Sequence, residues 1–172
     1  RIIGELPGLV YYRAKNGVAV NLYSGSEAEF PLANDVTVSL KQETDYPNSG
    51  NVVIQVNPSK ASAFTVLLRI PRWTVNPALH INGEAHAVTA KPGEFQAVER
   101  EWKPGDRIAL ELPMPLRWVK GRVAQAGRVA LMRGPMVYCL SREKNPAVND
   151  MDLRLITVDP ASVEGPFADD SV

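Results

Sequence analysis

The density of turn signals constrains this chain more than any other feature. Asn16-Gly17, Asn34-Asp35, Pro47-Asn48-Ser49-Gly50, Asn57-Pro58-Ser59, Asn76-Pro77, Asn82-Gly83, Lys91-Pro92-Gly93, Lys103-Pro104-Gly105-Asp106 and Gly134-Pro135 cut most of the sequence into short pieces. With 14 prolines and 12 glycines among 172 residues, no stretch remains in which a long helix can form. Between the breaks the apolar residues recur at every second position: Val36, Val38, Leu40; Val52, Ile54, Val56; Phe64, Val66, Leu68, Ile70; Ile108, Leu110, Leu112. Their alternates, such as Thr37, Ser39, Lys41, Gln55, Thr65, Arg69 and Glu111, are mostly polar. Strands with one dry and one wet face belong to antiparallel sheets packed in pairs, so the pattern predicts an all-β antiparallel sandwich. An apolar share of 45% suffices for its core.

Local readings follow from the same signals. In ALHINGEAHAV, Asn82-Gly83 supplies the two positive-φ residues of a type I′ turn, which fixes a register of Ile81 on Glu84, His80 on Ala85 and Leu79 on His86. The opening RIIGELPGL, interrupted by Gly4 and Pro7, reads as the frayed end of a helix whose body lies upstream. Its start on Arg rather than Met reads as the interior of a longer chain, and no signal peptide is visible. Past Leu140, SREKNPAVND is turn-rich, MDLRLITVD reads as one more strand, and the last residues read as a mobile tail.

Charge narrows the partners. Lys plus Arg and Asp plus Glu both number 19, with no block of like charge, so nothing draws the chain to nucleic acid or an anionic membrane. Apolar runs such as Leu9 to Tyr12 are far below the roughly 20 residues that span a bilayer.

Catalytic chemistry is not expected from these residues. A zinc site needs three or four converging ligands; the soft ones here are His80, His86 and Cys139, and the hairpin register turns the two imidazoles to opposite faces. Cys139 lies in the apolar run MVYCL and reads as a small buried hydrophobe. Glu99 and Glu101 share one strand face, about 6.6 Å apart by strand rise, within the spacing a glycosidase uses, but nothing in the sequence shields either from water. Asp45 reads as a turn cap. The aromatic residues Trp73, Trp102, Trp118, Tyr11, Tyr12, Tyr23, Tyr46 and Tyr138 can serve either as core or as a sugar-stacking platform; Trp73, Trp102 and Trp118 are the candidate carbohydrate contacts.

Six blocks in order, VNLYSGSEAEF, LKQETDYPNSG, FTVLLRIPRW, HINGE, REWKPGDRIALELPMPLRWV and RVALMRGPMVYCL, together resemble the C-terminal β-sandwich region of the β-L-arabinofuranosidase family, glycoside hydrolase family 127. The resemblance implies a bacterial parent enzyme with an N-terminal helical catalytic barrel, braced by β-sandwich domains. It implies a zinc-bound cysteine nucleophile and a glutamate acid/base in that barrel, upstream of every block matched here. Zinc thus belongs to the parent catalytic domain, no cofactor to this segment, and Cys139 inherits neither role. Arg1 to Leu9 resembles the segment after the family's paired cysteines.

The expected organisation is a remnant following the barrel over 1–11, a β-sandwich over 12–120, and the start of a second, incomplete sandwich over 121–172. The expected partner is the N-terminal catalytic domain of the same parent chain, with carbohydrate as a further candidate. An autonomous carbohydrate-binding module and an immunoglobulin-like interaction domain remain as rivals. The compartment stays open between the bacterial cytoplasm and the periplasm or exterior.

Overall fold

The structure is a computed structural model that describes residues 2–148, 150–152 and 155–165. It divides into two compact units, Arg1–Tyr138 and Cys139–Val172. The first unit opens with one helical turn, α1 (Ile2–Glu5), and a 3-10 turn over Leu6–Leu9. Its strands are β1 (Tyr11–Ala14), β2 (Gly17–Val20), β3 (Ser26–Pro31), β4 (Thr37–Thr44), β5 (Asn51–Pro58), β6 (Ser62–Arg69) and β7 (Ala78–Ile81). They continue as β8 (Glu84–His86), β9 (Phe95–Trp102), β10 (Asp106–Glu111), β11 (Leu116–Lys120), β12 (Val129–Arg133) and β13 (Met136–Tyr138).

Two sheets make the sandwich. One has the order β1-β2-β6-β9, the other β3-β4-β5-β10-β7-β8. The alternation in the sequence decides what lies between them: Val38 and Leu40 of β4, Val52, Ile54 and Val56 of β5, Phe64, Val66 and Leu68 of β6, and Ile108 and Leu110 of β10 are buried in one cluster with Trp102. Each such side chain contributes roughly 1.5–3 kcal/mol on leaving water, so a slip of one residue in any of these strands reverses a large term. The fold class expected from the sequence is therefore the one observed.

One pairing departs from the antiparallel rule. β2 runs parallel to β6, with Gly17 beside Thr65 and Val20 beside Leu68. The chain leaves the first sheet after β2, lays β3, β4 and β5 in the second sheet, and returns in β6 pointing the same way. The seam also shifts a turn. Lys15 and Asn16 form the β1–β2 loop, while Gly17 belongs to the strand. Gly17 has φ +147°, and a Cβ there would lie 1.9 Å from the Thr65 carbonyl oxygen, so only glycine lets the two backbones meet.

The hairpin expected at Asn82-Gly83 forms in the predicted register, with φ of 54° and 86° at the two turn residues. Asn82 does more than turn the chain. Its Nδ2 donates to Asp106 Oδ1 at 2.9 Å and its Oδ1 accepts from the Arg107 N–H at 2.8 Å, which ties this hairpin to the start of β10. Burial works against the Asp106 carboxylate, but the Lys103 N–H, the Asn82 amide and the nearby Arg100 and Lys103 charges outweigh it and hold its pKa below the ordinary value.

A third sheet, β11-β12-β13, sets Trp118, Leu131 and Tyr138 in one row. It holds no fully buried residue; Val129, Val137 and Tyr138 are exposed. Cys139, expected to be buried, is exposed, because β13 ends at Tyr138 and the thiol follows the strand instead of joining it.

In the second unit, the described residues form short 3-10 turns at Pro146–Val148 and Pro160–Ser162, the latter capped by Asp159 Oδ1 on the Ala161 N–H. The strand expected over Met151 to Asp159 is absent among the described residues of that stretch; 153 and 154 lie outside them, as does the expected tail at 166–172. Five residues of alternation without a partner strand do not hold an extended ladder.

Tyr23 closes the core between β2 and β3. It is 5% exposed, and its hydroxyl donates to the Arg69 carbonyl at 2.6 Å. Burial, reinforced by the neighbouring Tyr46 phenol and opposed weakly by Arg69, pushes its pKa far above the ordinary 10.0.

Two tests follow from these contacts. Gly17→Ala is expected to lower unfolding free energy by more than about 3 kcal/mol, whereas Gly83→Ala, whose new methyl meets nothing within 4 Å, is expected to cost about 1 kcal/mol; urea denaturation reads both, and equal losses would contradict the seam. The raised phenol of Tyr23 means that the unfolded chain releases a proton at pH 10.0 that the native chain keeps, so stability is fully present below that pH and falls as pH climbs past it. In Tyr23→Phe that alkaline decline should flatten, at a loss of about 1 kcal/mol at neutral pH from the missing hydrogen bond; urea midpoints across a pH series show whether it does.

Candidate functional site

A concave recess of about 850 Å³ opens where β2, β4 and β6 end. Its floor is aromatic. Tyr23 meets Tyr46 edge-on with centroids 6.1 Å apart, and Tyr46 stacks on Trp73 at 6.3 Å with an interplanar angle of 24°. These rings come from three separate connections, and each connection is anchored nearby. The Tyr46 N–H donates to Thr44 Oγ1, whose own hydroxyl donates to the Asn51 carbonyl at 2.6 Å. The buried Thr74, next to Trp73, donates to the Pro113 carbonyl at 3.1 Å. Asp45 lies at the turn expected there, but its backbone carbonyl closes it, accepting from the Asn48 N–H at 2.8 Å, while its side chain accepts from Asn48 Nδ2 at 3.1 Å.

Leu6, Pro7 and Val10 form one wall of the recess. Asn21 stitches that wall to the sandwich: its Nδ2 donates to the Leu9 carbonyl at 2.9 Å, and its Oδ1 accepts from Arg69 Nη1 at 2.8 Å. Arg69 and Arg72 are the charged residues of the lining, which contains no Asp, Glu, His or Cys. The Tyr46 phenol is raised by its partial burial, with Arg69 opposing. The recess therefore offers ring faces, aliphatic surface and guanidinium donors. It has no carboxyl pair with which to protonate a glycosidic oxygen and attack an anomeric carbon.

The three candidate tryptophans do not converge. Trp73 is half-buried in the recess. Trp102 is fully buried, donates its indole N–H to the Phe64 carbonyl at 3.0 Å, and has no face left for a sugar. Trp118 sits half-buried on the third sheet. Of the tyrosines weighed beside them, Tyr23 and Tyr46 join Trp73. The sequence reading missed Asn21, Arg69 and Arg72; the two arginines just before Trp73 in LLRIPRW were the available signal.

Glu99 and Glu101 are both exposed on β9. Glu99 borders a shallower hollow of about 260 Å³ with Glu84 and His86, all three in water. Shielding of one carboxyl, which acid catalysis of glycoside cleavage requires, is not present there. Among the described residues no three His, Cys, Asp or Glu side chains are grouped to hold a metal ion, and no helix is long and apolar enough to cross a membrane.

Comparison with known proteins bears on the whole sandwich. The family model of the β-L-arabinofuranosidase GH127 middle domain matches residues 17–114. The chain is 34% identical over 157 residues to a non-reducing end β-L-arabinofuranosidase of Bifidobacterium longum subsp. longum, a match covering 85% of this chain and 23% of that protein. Among solved structures it is similar to a GH127 β-L-arabinofuranosidase from Geobacillus stearothermophilus T6, with a TM-score of 0.75, 36% identity, and coverage of 83% of this chain and 23% of that one. A GH127 β-arabinofuranosidase matches with a TM-score of 0.70 and 30% identity over 80% of this chain and 24% of its own. The chain thus spans about a quarter of the length of these relatives. By its match over residues 17–114, its level of identity and its shared sandwich, this chain belongs to glycoside hydrolase family 127, the β-L-arabinofuranosidases.

Proposed function

We propose that this chain is a non-catalytic accessory β-sandwich of a longer glycoside hydrolase, and that it braces an N-terminal helical barrel in which hydrolysis takes place. The observation that carries the reading is the match of residues 17–114 to a middle domain, within an alignment that covers only 23% of a β-L-arabinofuranosidase. The chemistry of the surface supports it: the recess is aromatic and guanidinium-lined without an acid, and the carboxylates of β9 stand in water. In this reading residues 1–11 follow the barrel, 12–120 form the brace, and 121–172 begin a second sandwich. The third sheet supports that last assignment: it holds no fully buried residue and leaves Val119, Val129, Val137 and Tyr138 exposed, and a sheet with open apolar surface calls for a second layer. The zinc implied for the parent is assigned to the barrel and to none of these residues.

A second reading, a carbohydrate-binding module, is favoured by one observation: the stacked Tyr46 and Trp73 keep part of their surface open. Titration calorimetry with plant cell-wall oligosaccharides separates the two, because a platform releases heat that Trp73→Ala removes and a brace releases none.

The main test is an assay against aryl α- and β-pentofuranosides. The 172-residue chain is expected to turn over neither, while the full-length polypeptide that contains it hydrolyses one of them. Turnover by the purified chain that disappears in Glu99→Gln would overturn the non-catalytic reading, and a full-length polypeptide inert toward every pentofuranoside would overturn the hydrolase reading.

A further inference from the structure

Resting on the proposal that the chain is one domain of a longer hydrolase, we infer that the Tyr23–Tyr46–Trp73 recess is the seat of the polypeptide that precedes this domain. The occupant is an apolar side chain flanked by a carboxylate.

Three observations converge on that occupant. The first is shape and exposure. A cavity of about 850 Å³ floored by three stacked or edge-packed rings, with Leu6 still 43% exposed at its wall, has the size and the mainly apolar lining of a binding concavity. The second is continuity. Leu6, Pro7 and Val10 are themselves the wall, and Asn21 fastens that wall to Arg69. Whatever polypeptide precedes Leu6 is thereby delivered to the mouth of the recess, where a short tether gives it a high effective concentration that no free ligand matches. The matched domain is a middle domain in its family, and the relatives are about four times as long as the match, so preceding polypeptide exists in proteins of this architecture.

The third is charge. Arg69 and Arg72 stand at the lining with no carboxylate among the residues around them. Asn21 occupies one donor of Arg69, leaving the rest of that guanidinium and all of Arg72 to be met from outside. An apolar partner alone would strand these cations on docking. A partner bringing a carboxylate between them instead gains charge-assisted hydrogen bonds as water leaves.

Oxidative footprinting of the rings tests the inference. In the 172-residue chain, Trp73 and Tyr46 are expected to be oxidised by hydroxyl radical; in the full-length polypeptide that oxidation should be lost, while the exposed Phe95 on β9 stays reactive in both. Arg72→Glu, at an exposed position that leaves the sandwich core intact, should restore oxidation of Trp73 in the full-length protein. Equal reactivity of Trp73 in the two forms would overturn the seat while leaving the brace reading intact, because hydrolysis is read separately in the pentofuranoside assay. Protection of Trp73 that appears only on adding arabino-oligosaccharide would overturn it in favour of a sugar site.

Discussion

The molecule depends on a shared dry layer between two sheets of unequal width. Four strands face six, and the residues that meet between them are those at alternate positions of β4, β5, β6, β9 and β10. Nothing else in the first unit carries comparable energy. The ion pair at the surface of β4, between Lys41 and Glu43 at 3.0 Å, is open to water on both sides and contributes little. The polar contacts that matter act on geometry instead. Trp102 fills the layer and donates its indole N–H to the Phe64 carbonyl, and Asp106 clamps both the β9–β10 loop, through Lys103, and the β7–β8 turn, through Asn82. Given that layer, the three connections bearing Tyr23, Tyr46 and Trp73 are forced to the same end of the sandwich.

Much of this was legible in the sequence because period-two burial and turn chemistry are local. The register around Asn82-Gly83 follows from two residues and one turn type. The pairing of β2 with β6 was not legible, since it brings together residues 17 and 65 with three strands of the other sheet between them in sequence. Gly17 was therefore read as the second residue of a turn when its work is to let two backbones touch. Cys139 was misjudged for a related reason: an apolar neighbourhood in sequence says nothing about whether a further strand lies alongside. Met151 to Asp159 likewise alternates, yet its described residues join no strand.

The recess marks the same limit for function. Its aromatic residues stood out by type, yet the sequence offered no way to tell that Tyr23 and Tyr46 would meet Trp73 while Trp102 would vanish into the core. Assembly of a surface from residues 6, 21, 46 and 73 is a property of topology, and the arginines beside the rings gain meaning only once the rings are seen together. Membership of family 127 accounts for the sandwich; the distribution of exposed and hidden aromatic surface is what separates a brace from a free-standing binder.

The arginines at the recess also bear on how this domain behaves toward its own kind. Two copies brought rim to rim through their aromatic floors would crowd four guanidinium groups into one water-poor gap with no anion between them, and Coulomb repulsion there opposes the hydrophobic gain. A greasy hollow that would otherwise invite pairing is thus guarded by its own margin. Because the net charge is zero, any resistance to such pairing comes from where the positive charges sit, not from how many there are.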